Sequence, residues 1–236
     1  MASDFFSFKQ FRIRQDRSIF KVGTDAVLLG AYADVNSART ILDIGTGTGL
    51  IAIMLAQRCE AEITAIEPDP CSFEQALSNV RQCSWSSRIS VVNTELQNYY
   101  PGNEKFDLIV CNPPYFVDSL KNPDPRKASA RHNVSLNRND LLSGISRLLA
   151  DNGRFQLILP LAEGNIFIEE AGYSGFYCYD ILKIIPVPGA GIRRMILSFS
   201  RNRQETAENI LTIEGGGQKG FTEEYKNLTK DFYLKF

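Results

Sequence analysis

Between Ile41 and Leu55 the sequence leaves the backbone few choices. Ile41-Leu42-Asp43-Ile44 is a short apolar run suited to a strand covered on both faces, and Gly45, Gly47 and Gly49 follow at once. Ile51, Ile53, Met54 and Leu55 then recur at helical spacing. A strand that enters a helix through alternating glycines can turn sharply and bring its main chain close to a ligand that side chains would block. The spacing is G-x-G-x-G rather than the G-x-G-x-x-G of a pyrophosphate binder, and no Lys-Ser or Lys-Thr follows. A nucleoside triphosphate is therefore not expected there.

The rest of the chain repeats the alternation. Strands are expected near 40–44, 62–67, 88–92, 106–111 and 154–160, and helices over 49–59, 70–83 and 139–150. Parallel neighbours need long crossovers, so this order predicts an α/β architecture with a mostly parallel sheet and helices on both faces. Two β-rich runs, Phe176 to Pro186 and Arg193 to Ser200, are expected to add an antiparallel pair at one edge, giving seven strands. Ahead of the sheet, Phe6, Phe8, Phe11 and Ile13 alternate with polar residues and predict a β-hairpin within Phe6 to Phe20. Thr24 to Ala33 suits a short helix capped by Thr24 or Asp25. At the other end, Gly215 to Gly217 mark a turn, and Tyr225, Leu228 and Phe232 give 223–232 a helical face expected to pack on the body. A chain of 236 residues is expected to form a single domain, with an extension over 1–35, a core over 36–200 and a second extension over 201–236.

Composition narrows the class. Hydrophobic residues make up 44% and charged residues 22%, as in a folded globular chain. Apolar runs such as Leu157 to Leu161 fall far short of the roughly 18 residues of a membrane span. Met1 to Gln15 lacks the apolar stretch and cleavage site of a secretory signal, so a cytoplasmic protein is expected. The five cysteines form no CxxC pair and His132 is the single histidine, so neither a metal site nor a disulfide framework is expected. With a net charge of −1, any nucleic acid must be held by a local basic patch.

Two further features carry chemistry. The strand expected over 62–67 ends at Glu67, about 20 residues beyond the glycine turn, where a carboxylate can accept both hydroxyls of a ribose. Turn and acid together point to an adenosyl ligand. Farther on, the apolar strand 106–111 stops at Asn112-Pro113-Pro114-Tyr115. Consecutive prolines alone would only end the strand. Flanked by Asn112 and Tyr115 they support a second reading: the Asn112 side-chain oxygen and the Pro113 carbonyl accept the two hydrogens of an aromatic amine, and Tyr115 stacks on its ring. Such an amine is a poor nucleophile while its lone pair is delocalised into the ring. Two acceptors aimed at its hydrogens favour the pyramidal, reactive form, and attack on a sulfonium methyl then needs mainly alignment. Neither a general base nor a metal is required.

In this order the glycine turn, Glu67 and N-P-P-Y resemble a class I methyltransferase that acts on amino groups and uses S-adenosyl-L-methionine. The tetrapeptide is shared by adenine methyltransferases and by release-factor glutamine methyltransferases. The opening segment separates them: Phe8-Lys9-Gln10-Phe11, Gln15-Asp16-Arg17, Lys21-Val22-Gly23-Thr24-Asp25 and Leu28-Leu29-Gly30-Ala31 resemble the start of the tRNA1(Val) (adenine(37)-N6)-methyltransferase family. The similarity continues through Leu55-Ala56-Gln57-Arg58 to Asp231-Phe232-Tyr233-Leu234. The resemblance implies a Rossmann-like fold and a catalytic set of Asn112, Pro113, Pro114 and Tyr115. It implies cofactor contacts from Lys21, Thr24, Asp25, Asp43, Gly45, Thr46, Gly47, Gly49, Glu67, Pro68, Glu95 and Asn112. Glu95 stands where many relatives carry Asp. The implied reaction methylates N6 of an unpaired anticodon-loop adenine, where the cost of unstacking is low.

Basic residues gather at Lys9, Arg12, Arg14, Arg17 and Lys21, and again at Lys121, Arg126, Lys127 and Arg131. Each group reads either as solvated surface or as a grip on phosphates. If Arg12 and Arg14 share one strand face, they can flank the catalytic mouth, and with Tyr115 and Arg131 they are the expected substrate contacts. Arg193, Arg194, Arg201 and Arg203 are weaker candidates. Asp118 to Asn139 is long, polar and proline-bearing, and is expected to be a substrate-recognition loop, with His132 in it outside the chemistry. The chain is expected to act as a monomer. The alternatives are a release-factor glutamine methyltransferase, which would bring a separate N-terminal helical domain, a DNA adenine methyltransferase with a larger recognition region, and a non-catalytic adenosyl-binding module, which would have no use for N-P-P-Y.

Overall fold

Alternation along each strand divides the interior into two cores. The computed structural model describes residues 4–16, 21–113, 136–217 and 220–236. Ile41, Leu108 and Val110 point to one side of the central sheet, and Leu42, Ile44, Ile109 and Cys111 to the other. The first side is covered by α1 (Thr24–Tyr32), α2 (Leu50–Arg58), α3 (Pro70–Arg81) and α6 (Glu223–Thr229). The second is covered by α4 (Arg138–Leu148) and α5 (Leu161–Tyr173). Strands covered on both faces have little use for polar residues, which is why they read as apolar runs.

The strands of this sheet are β3 (Thr40–Ile44), β4 (Glu62–Ile66), β5 (Ile89–Val92), β6 (Phe106–Cys111), β7 (Leu149–Pro160), β8 (Tyr177–Ile185), β9 (Arg194–Ser200) and β10 (Ala207–Thr212). Their spatial order is β10-β8-β9-β7-β6-β3-β4-β5. Only β9 runs antiparallel to its neighbours. The carboxyl ends of the parallel strands and the start of β9 therefore share one edge, where open α/β sheets bind their ligands.

Several sequence expectations need correction. Among the described residues the sheet has eight strands rather than seven, because β10 adds to β8 by main-chain pairing although four of its six residues are exposed and it begins Ala-Glu-Asn. Poor strand formers on an exposed edge leave no alternation to read. Helix α5 was not anticipated: Glu163, Gly164 and Asn165 break its apolar pattern, and Gly164 is dictated by the Met195 methyl, which lies 2.6 Å from where a Cβ would stand. Strand β7 starts at Leu149, directly after α4, rather than at 154. Neither Thr24 nor Asp25 caps α1, whose N-cap is Gly23 without a side-chain bond. Asp25 instead accepts from Arg194 Nε at 2.8 Å.

The hairpin is present as β1 (Phe5–Ser7) and β2 (Arg12–Arg14), with Phe8, Phe11 and Ile13 buried. It closes on the far end of the chain. Lys9 N donates to Phe232 O at 2.8 Å, and Lys9 Nζ donates to Lys230 O at 2.6 Å and Phe236 O at 2.5 Å. The Phe8 ring stacks on Phe11 and Tyr233, with centroids 4.7 and 5.9 Å apart. Tyr225 and Phe232 join the same core, so the C-terminal segment packs on the body as its spacing predicts. No helix among the described residues is long and apolar enough to cross a membrane.

Candidate active site

The strand registers put the chemistry in one row. Ile44 of β3 pairs with Ile66 of β4 on one side and with Cys111 of β6 on the other. The next residue of each strand is Gly45, Glu67 and Asn112, so turn, acid and amide emerge side by side at ordinary interstrand spacing of about 5 Å. Nothing but main-chain pairing is needed to bring them abreast.

The turn is built for close approach. Gly45 and Gly47 hold φ at +69° and +59°, and a Cβ on either would meet nothing within 4 Å. Their left-handed backbone disfavours side chains, and the space above the turn is left to a ligand. Glu67, 7% exposed, accepts from Gly47 N at 2.8 Å with one oxygen and from Asp69 N at 3.0 Å with the other. Each carboxylate oxygen keeps a second lone pair, so a ribose diol can still be received. Burial pushes the Glu67 carboxyl up to about 7, against the opposing pull of those two amides.

Asp43 stands just below the turn and is fully buried. Its Oδ2 accepts from Thr46 Oγ1 at 2.5 Å and from Ala52 N at 3.2 Å, while its Oδ1 has no hydrogen-bond partner. Burial raises its carboxyl to about 6. An unsatisfied buried oxygen calls for a donor. A ligand amine above the turn would supply one. The open glycine cradle, the unpaired Asp43 oxygen and the acid at the end of β4 fit an adenosyl amino acid such as S-adenosylmethionine.

The other expected residues distribute around this row. Pro68 follows Glu67, and Glu95 lies one residue past Thr94, whose N–H donates to Glu67 O at 3.2 Å. Glu95 is exposed and accepts from Asn98 Nδ2 at 3.1 Å. Pro113 is buried beside half-buried Asn112. Gly49 caps α2, whereas Thr24 and Asp25, at the start of α1 with exposed Lys21 before them, line a separate cleft farther along the same edge, at the end of β8 and the start of β9. Arg12 and Arg14 do share one face of β2, both over the Phe5 ring, and Arg14 also pairs with Asp16 at 2.7 Å. Pro114, Tyr115, Arg131, His132, Arg17, Lys121, Arg126 and Lys127 lie outside the described residues, as does most of the expected recognition loop.

Sequence reading missed two asparagines that hold the row in place. Asn79, 2% exposed, donates to Thr48 O at 2.8 Å and to Arg14 O at 2.9 Å, and accepts from Arg14 N at 2.9 Å. It ties the hairpin to the glycine turn. Its signal was a polar residue on the buried stripe Ser72, Gln75, Ala76, Asn79 and Val80 of α3. Asn93 donates to Glu67 O at 2.7 Å and Pro68 O at 3.1 Å, fixing the acid's backbone, and no sequence pattern marks it. Among the described residues no group of three or more His, Cys, Asp or Glu is placed to hold a metal.

The chain is similar to known methyltransferases. The sequence profile of the methyltransferase small domain matches residues 18–157. A Bacteroides fragilis protein named tRNA1(Val) (adenine(37)-N6)-methyltransferase is 45% identical over 237 residues, covering 100% of both chains. Among solved structures, a predicted O-methyltransferase from Agrobacterium tumefaciens has a TM-score of 0.66 at 22% identity, over 88% of this chain and 96% of its own. A glycopeptide N-methyltransferase complexed with (S)-adenosyl-L-methionine has a TM-score of 0.57 at 12% identity, over 78% of this chain and 96% of its own. At these identities the structural likeness speaks for the fold.

Proposed function

Because the chain belongs to the tRNA1(Val) (adenine(37)-N6)-methyltransferase family, we propose that it transfers a methyl group from S-adenosylmethionine to N6 of an adenine in tRNA, with adenine 37 of tRNA1(Val) as the target. The observation that carries the reading is the row formed by Glu67, Gly45 and Asn112. S-adenosylmethionine, when bound, supplies a methyl group on a positively charged sulfur.

The chain's own residues bind and align. Glu67 receives the ribose hydroxyls, the glycine turn admits the adenosyl body, and the spare Asp43 oxygen receives an ammonium hydrogen. Asn112 Oδ1 and the Pro113 carbonyl accept the two hydrogens of the adenine amine. That pair draws the nitrogen toward a pyramidal shape with its lone pair facing the methyl carbon. Tyr115 is assigned to stack on the base, and Arg12, Arg14 and Arg131 to phosphates. Fixed dipoles and alignment supply the rate, and the proton lost from N6 passes to water. We place the enzyme in the cytoplasm as a monomer that grips RNA through a local basic patch.

Labelled S-adenosylmethionine, incubated with the protein and separately with total tRNA, DNA and a release factor, tests this. Label recovered as N6-methyladenosine from tRNA is the expected result. Label in glutamine of the release factor, or in DNA alone, would overturn it.

A further inference from the structure

The ligand-binding edge does not end at Asn112. Three strands away, across β7 and β9, the end of β8 opens into a cleft of about 740 Å³ that none of Gly45, Glu67 or Asn112 lines. At ordinary strand spacing it lies roughly 14 Å along the edge from the catalytic row. One wall is aromatic: Phe221, Tyr225, Tyr233 and Phe236 line it. Phe221 stacks on Tyr225 with centroids 5.2 Å apart and still keeps 40% of its surface in solvent. Arg193 and Lys235, both exposed, stand at the rim, and the Asp25–Arg194 ion pair lies within.

We propose that this cleft is a second nucleotide subsite, which stacks an unpaired base of the RNA substrate a few nucleotides along the strand from the target adenine. The proposal rests on the RNA-methylating reading above. Three observations favour a nucleotide. Aromatic faces beside arginine and lysine are what sequence-tolerant single-strand binding uses, since every base has a π-face. The cleft shares its edge with the catalytic row, so one extended strand can occupy both. The chain as a whole carries a charge of −1, and two of the described hairpin cations are already shared, Lys9 with carbonyls of the C-terminal segment and Arg14 with Asp16, which leaves Arg12 as the freest phosphate contact among them. Base stacking along this edge adds RNA affinity to those phosphate contacts without a large positive field.

The test uses the full-length enzyme with an unmodified tRNA1(Val) transcript and a trinucleotide centred on the target adenine. Phe221→Ala should raise the KM for the transcript roughly tenfold, the ordinary cost of losing one stacked base. It should leave kcat at saturating RNA and the cofactor Kd unchanged, and it should methylate the trinucleotide as efficiently as wild type. Phe221→Trp should restore the KM, and Arg193→Ala should raise it and flatten its salt dependence. Wild-type methylation of the transcript with an unchanged KM for Phe221→Ala would sink the subsite alone. An equal loss on the trinucleotide, or lost cofactor binding, would make the residue structural and also sink it. So would a sedimentation shift showing that Phe221→Ala breaks up a dimer, because the cleft would then hold a second copy. If wild type methylates no RNA, the functional reading fails, and the subsite with it.

Discussion

The catalytic row and the clasp between the two ends of the chain are built by opposite means. Glu67, Gly45 and Asn112 stand abreast because three strands pair in register, so the main chain does the positioning and side chains are left for chemistry. The clasp depends on side chains: Phe8 on Tyr233, and Lys9 on carbonyls more than 220 residues away. A register is a collective property that a point change hardly moves, whereas a packed clasp weakens with each atom removed. Changes in the row should therefore damage function and spare stability, and changes in the clasp should do the reverse.

The largest separation is expected at Asn112. Asn112→Ala should lower kcat by roughly a thousandfold, the cost of removing one preorganised polar partner, with cofactor affinity and melting temperature kept. Stopped-time methylation and calorimetry would read both. Next comes Phe8→Ala, which should cost about 3 kcal/mol of stability in urea unfolding while kcat at low temperature holds. A kcat that fell with stability would merge the two regions. Glu67→Gln should weaken cofactor binding about tenfold at pH 8 by loss of a charged acceptor. Wild-type affinity should fall as pH drops through about 7, where Glu67 takes up a proton, and binding should release protons. In the Gln variant, titration calorimetry should find the step near 7 gone and only the weaker dependence that Asp43 brings near 6. The same group gives the opposite sign for stability. Its folded value of about 7 lies above its ordinary 4.5, so ionised Glu67 opposes folding as pH rises between those values. Relative to wild type, Glu67→Gln should therefore gain stability as pH rises from about 4.5 to 8, set against a pH-independent cost because its NH2 faces one of the two amide N–H groups that the carboxylate accepts from. The smallest effect belongs to Lys9→Met, about 1 kcal/mol of stability from lost hydrogen bonds.

The same contrast explains what was legible in the sequence. The glycine turn, Glu67 and Asn112-Pro113 announce themselves because each is a contiguous strand end, and the strands near them start and stop within a residue of expectation. Features that rest on partners distant in sequence were hidden. Gly164 makes sense only beside Met195, β10 only beside β8, and the missing cap of α1 only once Asp25 is seen paired with Arg194. Asn79 is a polar residue on a buried helix stripe whose partners come from the hairpin and the glycine turn, both distant in sequence.

A crystal structure with a non-reactive cofactor analogue and an adenine-bearing RNA would test the central geometry most directly. The account predicts the adenine amine within hydrogen-bond distance of Asn112 Oδ1 and the Pro113 carbonyl, with the analogue lying over Gly45 and its ribose on Glu67. An Asn112 side chain turned out of that pocket, or an adenine held elsewhere on the sheet edge, would contradict it.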